Sequence, residues 1–476
     1  MTGAGRSWID YTEIRELRGP LVVVAGVTGV GWDEFVVIEL GDGTVRHGLV
    51  LEVDRDLAVV QVLEGTAGMT ARPAPGRSGI RIEFTGQPLR IPIGDGWLGR
   101  TCNGRGEPVD GGPPVTGARR RPVSGTPLNP TRRDPPADPV LTGVSVIDAL
   151  TTVVRGQKLP VFSVPGLPHL ELACQIAARA TTGGEPFCVV FAGLGLTHTD
   201  AAYVRDVLDD RSAAGELALL LNMADDPVIE RLVTPQLALT IAEHLAFDGG
   251  RHVLVVLTDM TSYAEALREV SAARGEIPAR RAYPGYLYSD LAGIYERCGR
   301  IIGRPGSVTV VPVLTMPGGD ITHPVPDLTG YITEGQIILS AEMHARGIYP
   351  PVDALSSLSR LMHRGAGPGR TRDDHLPLAA QLLAALAKAR QVRELSDLIG
   401  TDTLGRTEHA YLDLDDAFGR DLVQQRSDET RDLAETLDRA WRVVRRLPRS
   451  ALTMLPEALI DAHEPRPDEV SEAGRD

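Results

Sequence analysis

The sequence is poor in lysine. Of its 49 lysine and arginine residues two are lysines, Lys158 and Lys388, and the other 47 are arginines. A phosphate-binding loop (P-loop) of the form GxxxxGK[ST] needs a lysine that reaches the outer phosphates of a nucleotide. Lys158 precedes an apolar run and Lys388 lies in a helical pattern, so no working P-loop is present in this sequence.

Excess positive charge and long apolar runs are also missing. The net charge is −14 and the isoelectric point is near 5.3, which argues against a surface that binds nucleic acid. No apolar run approaches the roughly 18 residues of a membrane span, and the N-terminus lacks the charged-then-apolar order of a signal peptide. These absences predict a soluble cytosolic protein.

Cysteine is scarce as well. The four cysteines, Cys102, Cys174, Cys188 and Cys298, are too scattered for a CxxC metal site or a disulfide framework. We therefore expect four buried thiols and no metal site on this chain.

Apolar patterns divide the chain into three domains. Short strands separated by turn signals predict a small N-terminal β-barrel over residues 1–71, with strands at residues 21–27, 34–40, 45–54 and 57–64. The following stretch, residues 72–139, is rich in glycine and proline and is interpreted as a strand-poor connector packed on a core. Its apolar residues, among them Ile80, Ile82 and Phe84, recur at period two.

The central part of the chain alternates strand-like and helical patterns. The strand-like runs are residues 159–162, 187–191, 217–221, 253–257 and 308–313. Alternation of this kind predicts an α/β domain with a doubly wound parallel sheet and helices on both faces, which we place within residues 72–369. Ligands of such sheets bind at the carboxyl ends of the strands.

The last part of the chain is helical. Amphipathic repeats predict a C-terminal α-helical bundle over residues 370–456, with helices at residues 376–399, 409–425 and 429–447. The acidic, proline-containing residues 457–476 have too little apolar surface to fold, and we expect a mobile tail there.

One segment occupies the position of a P-loop without its chemistry. Residues 163–170 read SVPGLPHL, with Gly166 in the middle, and lie between a predicted strand and a predicted helix. Ser163 and Pro168 replace the two glycines, His169 replaces the lysine and Leu170 replaces the hydroxyl residue. Proline has no N–H to donate, histidine is mostly neutral at pH 7 and leucine cannot bind magnesium. Pro168 suits a first helical turn, and His169 suits packing or capping.

A carboxylate follows a later apolar strand. Asp259 closes the run 253–257 and resembles a Walker B aspartate, which holds magnesium or its water. The alternative is that Asp259 caps the helix predicted from Ser262.

A second loop carries one arginine. Residues 350–362 read PPVDALSSLSRLM, so two prolines hold the entry extended and Arg360 follows the last serine. A guanidinium offers forked donors at fixed charge, so it can stabilise a phosphoryl group bound by its own chain or by a neighbour. The alternative is that Arg360 pairs with a local carboxylate.

The same loop carries a family resemblance. The positions Pro350, Pro351, Asp353, Ser357 and Ser359 match the signature P-[SAP]-[LIV]-[DNH]-x(3)-S-x-S, so the loop resembles that of the alpha and beta chains of rotary ATPases. Other segments support a resemblance to one branch, the non-catalytic B subunit of A-type and V-type rotary ATPases, over residues 11–455. These segments are residues 163–173, 226–235, 257–281, 283–286 and 314–317.

The resemblance implies an assembly. It implies that the central domain is RecA-like, and that the chain alternates with three catalytic A subunits in an A3B3 ring around a central rotor stalk, held by a peripheral stator stalk. ATP or ADP with magnesium would bind at the interface with the A subunit, and Arg360 would serve that site as a trans arginine finger. The chain itself would hold no cofactor. It would couple ATP turnover to proton or sodium transport from the cytoplasmic side, peripheral to the inner face of the plasma membrane, and would meet the membrane only through the ion-translocating sector.

Departures from the family pattern concern the degenerate loop. Val164 and Pro165 stand where relatives usually have glycine and serine, and Leu170 stands where they have asparagine, which argues against nucleotide binding there. Two alternatives stay open. A self-sufficient hexameric RecA-like ATPase would need GKT, which is absent, and a purely structural ring subunit would have no catalytic share.

Overall fold

The computed structural model describes residues 10–11, 13–71, 79–400 and 403–463. The described residues form two compact units, the first drawn from Met1–Asp134 and Pro186–Ile332 and the second from Pro135–Glu185 and Thr333–Asp476. Of the predicted tail, Glu457–His463 is helical, and residues 464–476 lie outside the described residues.

The strands are, in chain order, β1 (Asp10–Tyr11), β2 (Ile14–Arg18), β3 (Leu21–Ala25), β4 (Glu34–Glu39), β5 (Val45–Asp54), β6 (Leu57–Val62), β7 (Arg81–Pro88), β8 (Arg90–Ile93), β9 (Arg100–Asn103), β10 (Arg119–Pro122), β11 (Arg133–Asp134), β12 (Pro139–Val140), β13 (Val153–Val154), β14 (Val161–Ser163), β15 (Phe187–Leu196), β16 (Leu217–Met223), β17 (His252–Thr258), β18 (Gly299–Ile301), β19 (Ser307–Thr315), β20 (Gly335–Ile338) and β21 (Leu358–Ser359).

The α-helices are α1 (Ser145–Leu150), α2 (His169–Arg179), α3 (His198–Ala213), α4 (Val228–Glu243), α5 (Met260–Ala273), α6 (Leu287–Tyr295), α7 (Pro324–Ile332), α8 (Ala341–Ala345), α9 (Met362–Gly365), α10 (His375–Ile399), α11 (Arg406–Ala417), α12 (Leu433–Val444) and α13 (Glu457–His463). Short π-helical turns follow α4 and α11 at His244–Asp248 and Phe418–Val423. No helix among the described residues is both long enough and apolar enough to cross a membrane.

The N-terminal domain is the predicted β-barrel. Seven strands pair antiparallel in the order β1-β7-β4-β5-β6-β3-β2. Alternate residues of each strand point inward, so branched apolar side chains such as Val22, Val36 and Val60 are fully buried in its core.

The connector differs from the prediction. Residues 81–88 form β7, which pairs with β4 inside the barrel sheet, and β8 pairs antiparallel with β10 in a separate two-stranded sheet. The period-two apolar residues Ile80 and Ile82 are buried, and Ile82 belongs to the barrel core. The strand signal was therefore present, and the surrounding glycines and prolines mark the turns between short strands rather than a strand-poor segment. The barrel sheet thus extends beyond the predicted boundary at residue 71.

The parallel sheet of the first unit follows the predicted alternation. Its strands run in the order β19-β17-β15-β16-β9, all paired parallel. The helices α3, α4 and α5 pack on these strands. Every residue of β17 is buried, which explains why its sequence is a continuous apolar run rather than an alternating one.

The second unit combines a short sheet with the C-terminal helices. In it β14 pairs parallel with β20, and β20 pairs antiparallel with β21. The helices α10, α11 and α12 pack on one another and form the predicted helical domain. Along α10 the buried residues Leu378, Leu382, Leu386 and Ala389 recur every three or four positions, as expected for one apolar face.

The four cysteines are buried thiols, as predicted. Burial raises the pKa of the Cys102 thiol to about 11 and that of the Cys188 thiol to about 12. The pKa of the Cys174 thiol is raised by the same cause. These thiols therefore stay protonated, and inert toward electrophiles, while the protein is folded.

We expect Gly306→Ala to destabilise the first unit. Gly306 is buried just before β19, and a methyl group there would overlap the carbonyl oxygens of Ala246 and Arg251. Overpacking of this kind costs about 1–3 kcal/mol. Gly330→Ala is the matched control, because Gly330 lies in α7 with no heavy atom within 4 Å of the added methyl group. The control should be neutral or more stable in thermal melts, and equal melting temperatures for both variants would contradict the prediction.

Candidate functional site

The degenerate P-loop has the predicted strand–turn–helix geometry. β14 ends at Ser163, α2 begins at His169, and the turn between them contains Gly166 with a φ of 91°. That backbone conformation strongly favours glycine, which explains the glycine at this position of the turn. The turn therefore joins a strand to a helix, as the sequence pattern predicted.

Two polar side chains of the turn are hydrogen-bonded to backbone carbonyl oxygens of the same turn. The buried Ser163 hydroxyl donates to the carbonyl oxygen of Val164 over 3.0 Å. The ring Nδ1 of His169 lies 2.9 Å from the carbonyl oxygen of Leu167, and because a carbonyl only accepts, this nitrogen carries the proton. Pro168 precedes α2 and provides no side-chain cap. The turn therefore offers neither a lysine ammonium nor a free hydroxyl with which to bind a phosphate.

The loop at residues 350–360 is held by its own aspartate. The Asp353 carboxylate accepts hydrogen bonds from the backbone of Leu355 at 3.0 Å and of Ser356 at 3.2 Å, and from the Ser356 hydroxyl at 2.7 Å. Arg390 of α10 approaches the same carboxylate at 3.4 Å. Asp353 thus fixes the turn that leads into β21.

The entry to the loop is tied to the sheet by its backbone. The peptide bond before Pro350 is cis, and the carbonyl oxygen of Pro351 accepts from the backbone N–H of Ser340 over 2.7 Å. Val352 then forms a single antiparallel bridge with Leu339. These contacts place the loop beside the end of β20.

The signature serines point into the protein. The Ser357 hydroxyl accepts from the backbone N–H of Ile338 at 2.9 Å. The Ser359 hydroxyl donates to the carbonyl oxygen of Thr152 at 3.0 Å and accepts from Nε2 of Gln157 at 3.0 Å. Both serines are buried, so their hydroxyls hold the loop in place and do not face a ligand.

Arg360 points outward. Burial alternates along residues 357–360: Ser357 and Ser359 are buried, whereas Arg360 is exposed and Leu358 is 53% exposed. The backbone N–H of Arg360 donates to the carbonyl oxygen of Glu334 at 3.0 Å, and its Nη1 donates to that of Thr333 at 3.2 Å. No aspartate or glutamate in the described part of the chain forms an ion pair with it. The guanidinium is exposed and keeps most of its donors available.

Asp259 is engaged as a helix cap. Its carboxylate accepts from the backbone N–H of Thr261 at 2.7 Å, at the start of α5, and from the Thr315 hydroxyl at 2.7 Å. It lies in the first unit, whereas the degenerate loop and Arg360 lie in the second. The geometry supports the capping alternative. Among the described residues no cluster of three or more histidine, cysteine, aspartate or glutamate side chains could hold a metal ion.

Sequence reasoning assigned no role to the residues that hold Arg360. Nε2 of Gln157 donates to the Ser359 hydroxyl and to the carbonyl oxygen of Glu334, and Lys158 forms an ion pair with Glu334. Gln157 and Lys158 are about 176 positions from Glu334. The available signal was the rarity of lysine, since one of the two lysines in the chain lies here.

Three family models match the chain. The beta-barrel domain of the ATP synthase alpha/beta family matches residues 14–72, the nucleotide-binding domain of that family matches residues 143–359, and the C-terminal domain of V and A type ATP synthase matches residues 364–464.

Two relatives are similar over most of their length. The B subunit of an A-type ATP synthase from Aeropyrum pernix is 50% identical over 459 residues, which are 96% of this chain and 98% of the relative. A solved structure described as a unique ATP synthase subunit NeqB from Nanoarcheaum equitans has a TM-score of 0.70 and 34% identity, covering 90% of this chain and 100% of that chain.

We expect Gly335→Ala to disturb the strand that carries Arg360. Gly335 has a φ of 138°, and a methyl group there would overlap the carbonyl oxygen of Leu358 in β21. The strained backbone costs about 1–2 kcal/mol, and the overlap adds about 1–3 kcal/mol. Gly347→Ala is the matched control, since Gly347 has a φ of 75° and no heavy atom within 4 Å. Thermal melts should show a larger loss for Gly335→Ala, and an equal loss would contradict the overlap.

Proposed function

This chain belongs to the ATP synthase alpha/beta family and is 50% identical to the B subunit of an A-type ATP synthase; on that premise we propose that it is the regulatory, non-catalytic B subunit of a rotary ATPase. In that role it couples ATP synthesis or hydrolysis to the transport of protons or sodium ions. Its contribution to catalysis is Arg360, which completes the catalytic site of a neighbouring A subunit.

The exposed guanidinium of Arg360 carries the proposal. Ser357 and Ser359 are buried while Arg360 is exposed, and within the described part of the chain the guanidinium donates one hydrogen bond, to a backbone carbonyl. An arginine presented in this way can reach a phosphoryl group held by another chain. An arginine finger supplied across an interface raises the rate by about 1,000- to 100,000-fold, or about 4 to 7 kcal/mol.

The state of the degenerate loop supports action in trans. A guanidinium that acted in cis would need a nucleotide held by its own chain. Pro168, His169 and Leu170 supply neither the backbone donor, nor the cation, nor the magnesium ligand that such a nucleotide requires. The nucleotide that Arg360 serves therefore belongs to a different polypeptide.

The proposed partners are those that the family resemblance implies. The chain alternates with catalytic A subunits in an A3B3 ring around a central rotor stalk, and a peripheral stator stalk holds the ring. ATP or ADP with magnesium binds at the interface with the A subunit. The ring lies in the cytoplasm at the inner face of the plasma membrane, which the chain meets only through the ion-translocating sector.

We predict that Arg360→Ala lowers ATP turnover by the assembled ring about 1,000- to 100,000-fold, because the charge on the transferring phosphoryl group loses its guanidinium. Arg360→Lys should restore little of it, since an ammonium lacks the planar fork. Steady-state ATP hydrolysis by a ring reconstituted with A subunits measures this, and size-exclusion chromatography verifies assembly.

Arg364→Ala is the matched control for that experiment. Arg364 is a second exposed arginine four positions along the chain, at the end of α9, so its removal changes the charge equally. The control should keep turnover within about twofold of the unmodified ring, a difference of less than 1 kcal/mol. Near-normal turnover of a normally assembled Arg360→Ala ring would remove the finger role and leave a structural ring subunit.

The chain alone is predicted to be nearly inactive. Enzymes commonly turn over about 1–1,000 times per second, and we expect the purified chain with Mg²⁺ and ATP to stay below about 0.01 per second. A phosphate-release assay measures this, with the reconstituted ring as the positive control. Turnover at an enzyme's ordinary rate would instead indicate a self-sufficient ATPase.

A further inference from the structure

Lys158 is a buried lysine in a chain that otherwise uses arginine. Its side chain is 4% exposed, and its Nζ lies 2.7 Å from Oε1 of Glu334. The backbone N–H of Lys158 also donates to the other carboxylate oxygen of Glu334 over 2.8 Å. One residue therefore engages both oxygens of one carboxylate, which fixes the position and the orientation of the Glu334 side chain.

The backbone of Glu334 is held by the same segment. Its N–H donates to the carbonyl oxygen of Lys158 at 3.0 Å, and its carbonyl oxygen accepts from Nε2 of Gln157 at 3.2 Å. Residues 157–158 thus fix residue 334 through the side chain, the N–H and the carbonyl group.

The Thr333–Glu334 segment in turn holds Arg360. The carbonyl oxygen of Glu334 accepts the backbone N–H of Arg360 at 3.0 Å, and the carbonyl oxygen of Thr333 accepts its Nη1 at 3.2 Å. Both groups that orient Arg360 are backbone atoms of this segment. Any shift of the segment moves the guanidinium with it.

An ion pair is a specific way to hold this segment. Two apolar side chains of similar volume could fill the same buried space, and they would avoid the cost of desolvating two charges. They would lack direction, whereas an ammonium with three donors fixes a carboxylate at one distance and one angle. Loss of the ammonium would leave Glu334, whose side chain is 27% exposed, to turn toward water and draw its peptide group along.

We propose that Lys158 is a positioning residue for catalysis, which holds the Thr333–Glu334 segment through its ion pair with Glu334 and thereby sets the direction of the Arg360 guanidinium. The proposal rests on the proposed function, because it acts through Arg360. Under this proposal Lys158, which precedes β14 and the degenerate P-loop, contributes to the catalytic site at the A/B interface.

The test is Lys158→Met in the reconstituted ring. A displacement of about 1 Å in a positioned group can lower turnover about 100-fold, so we expect kcat for ATP to fall about 10- to 100-fold with KM within about twofold. In a ring that already carries Arg360→Ala, Lys158→Met should change kcat by less than about twofold, because the group that it positions is gone.

Arg431→Met is the matched control. Arg431 and Glu429 form an ion pair with side-chain exposures of 4% and 31%, close to those of Lys158 and Glu334. This variant should lower the melting temperature at least as much as Lys158→Met, because Arg431 also donates to the carbonyl oxygens of Leu422 and Gln424, but leave kcat within about twofold of the unmodified ring. If Lys158→Met lowers stability alone, like the control, the positioning role is wrong.

The outcomes separate this inference from the proposed function. Normal turnover of an assembled Arg360→Ala ring refutes the finger itself. If the Arg360→Ala ring has low kcat and the Lys158→Met ring has normal kcat, only the positioning role is refuted. The positioning role is also refuted if Lys158→Met lowers kcat as much in the Arg360→Ala ring as in the unmodified ring. If Lys158→Met does not fold, Glu334→Gln keeps the side-chain shape, weakens the ion pair, and should give a smaller fall in kcat with the same dependence on Arg360.

Discussion

The alternation of side chains along residues 357–360 is the constraint on which the rest depends. An edge strand turns one row of side chains to the protein and the other to the surroundings. Ser357 and Ser359 fill the inward row and are hydrogen-bonded there, so Arg360 must face outward. A slip by one residue would expose the two hydroxyls and bury the guanidinium without a carboxylate. The serines of the signature therefore act on the register of the strand.

The turn at residues 163–169 has a strand–turn–helix geometry but lacks the side chains with which a P-loop binds a nucleotide. The turn comes from β14, α2 and the left-handed backbone of Gly166, and all three are present. The chemistry would come from side chains and one backbone donor, which Pro168 and His169 do not provide. A strand–turn–helix can thus be kept for packing where the side chains that bind a nucleotide are absent.

Local patterns predicted much of this protein, and long-range pairing accounts for what they missed. The period of the apolar residues indicated the parallel strands, and α10 begins within one residue of its predicted start because its apolar face repeats regularly. The two short strands that open the barrel, β1 and β2, were not predicted, and the last one, β7, was missed because the glycines around Ile82 outweighed a period-two pattern. The contact of Lys158 with Glu334 joins segments about 176 positions apart, which no local pattern specifies. The outward direction of Arg360 likewise depends on the hydrogen bonds that Ser357 and Ser359 form with residues distant in the sequence.

Because the cysteines are buried, their reaction with a thiol reagent can be used to detect local unfolding. Alkylating reagents attack the thiolate, so the thiols of a folded unit are protected and those of an opened unit react. Cys174 belongs to the unit that carries Arg360, whereas Cys102 and Cys188 belong to the other. The rates at which these natural labels are consumed therefore measure how often each unit opens by itself, without any introduced probe.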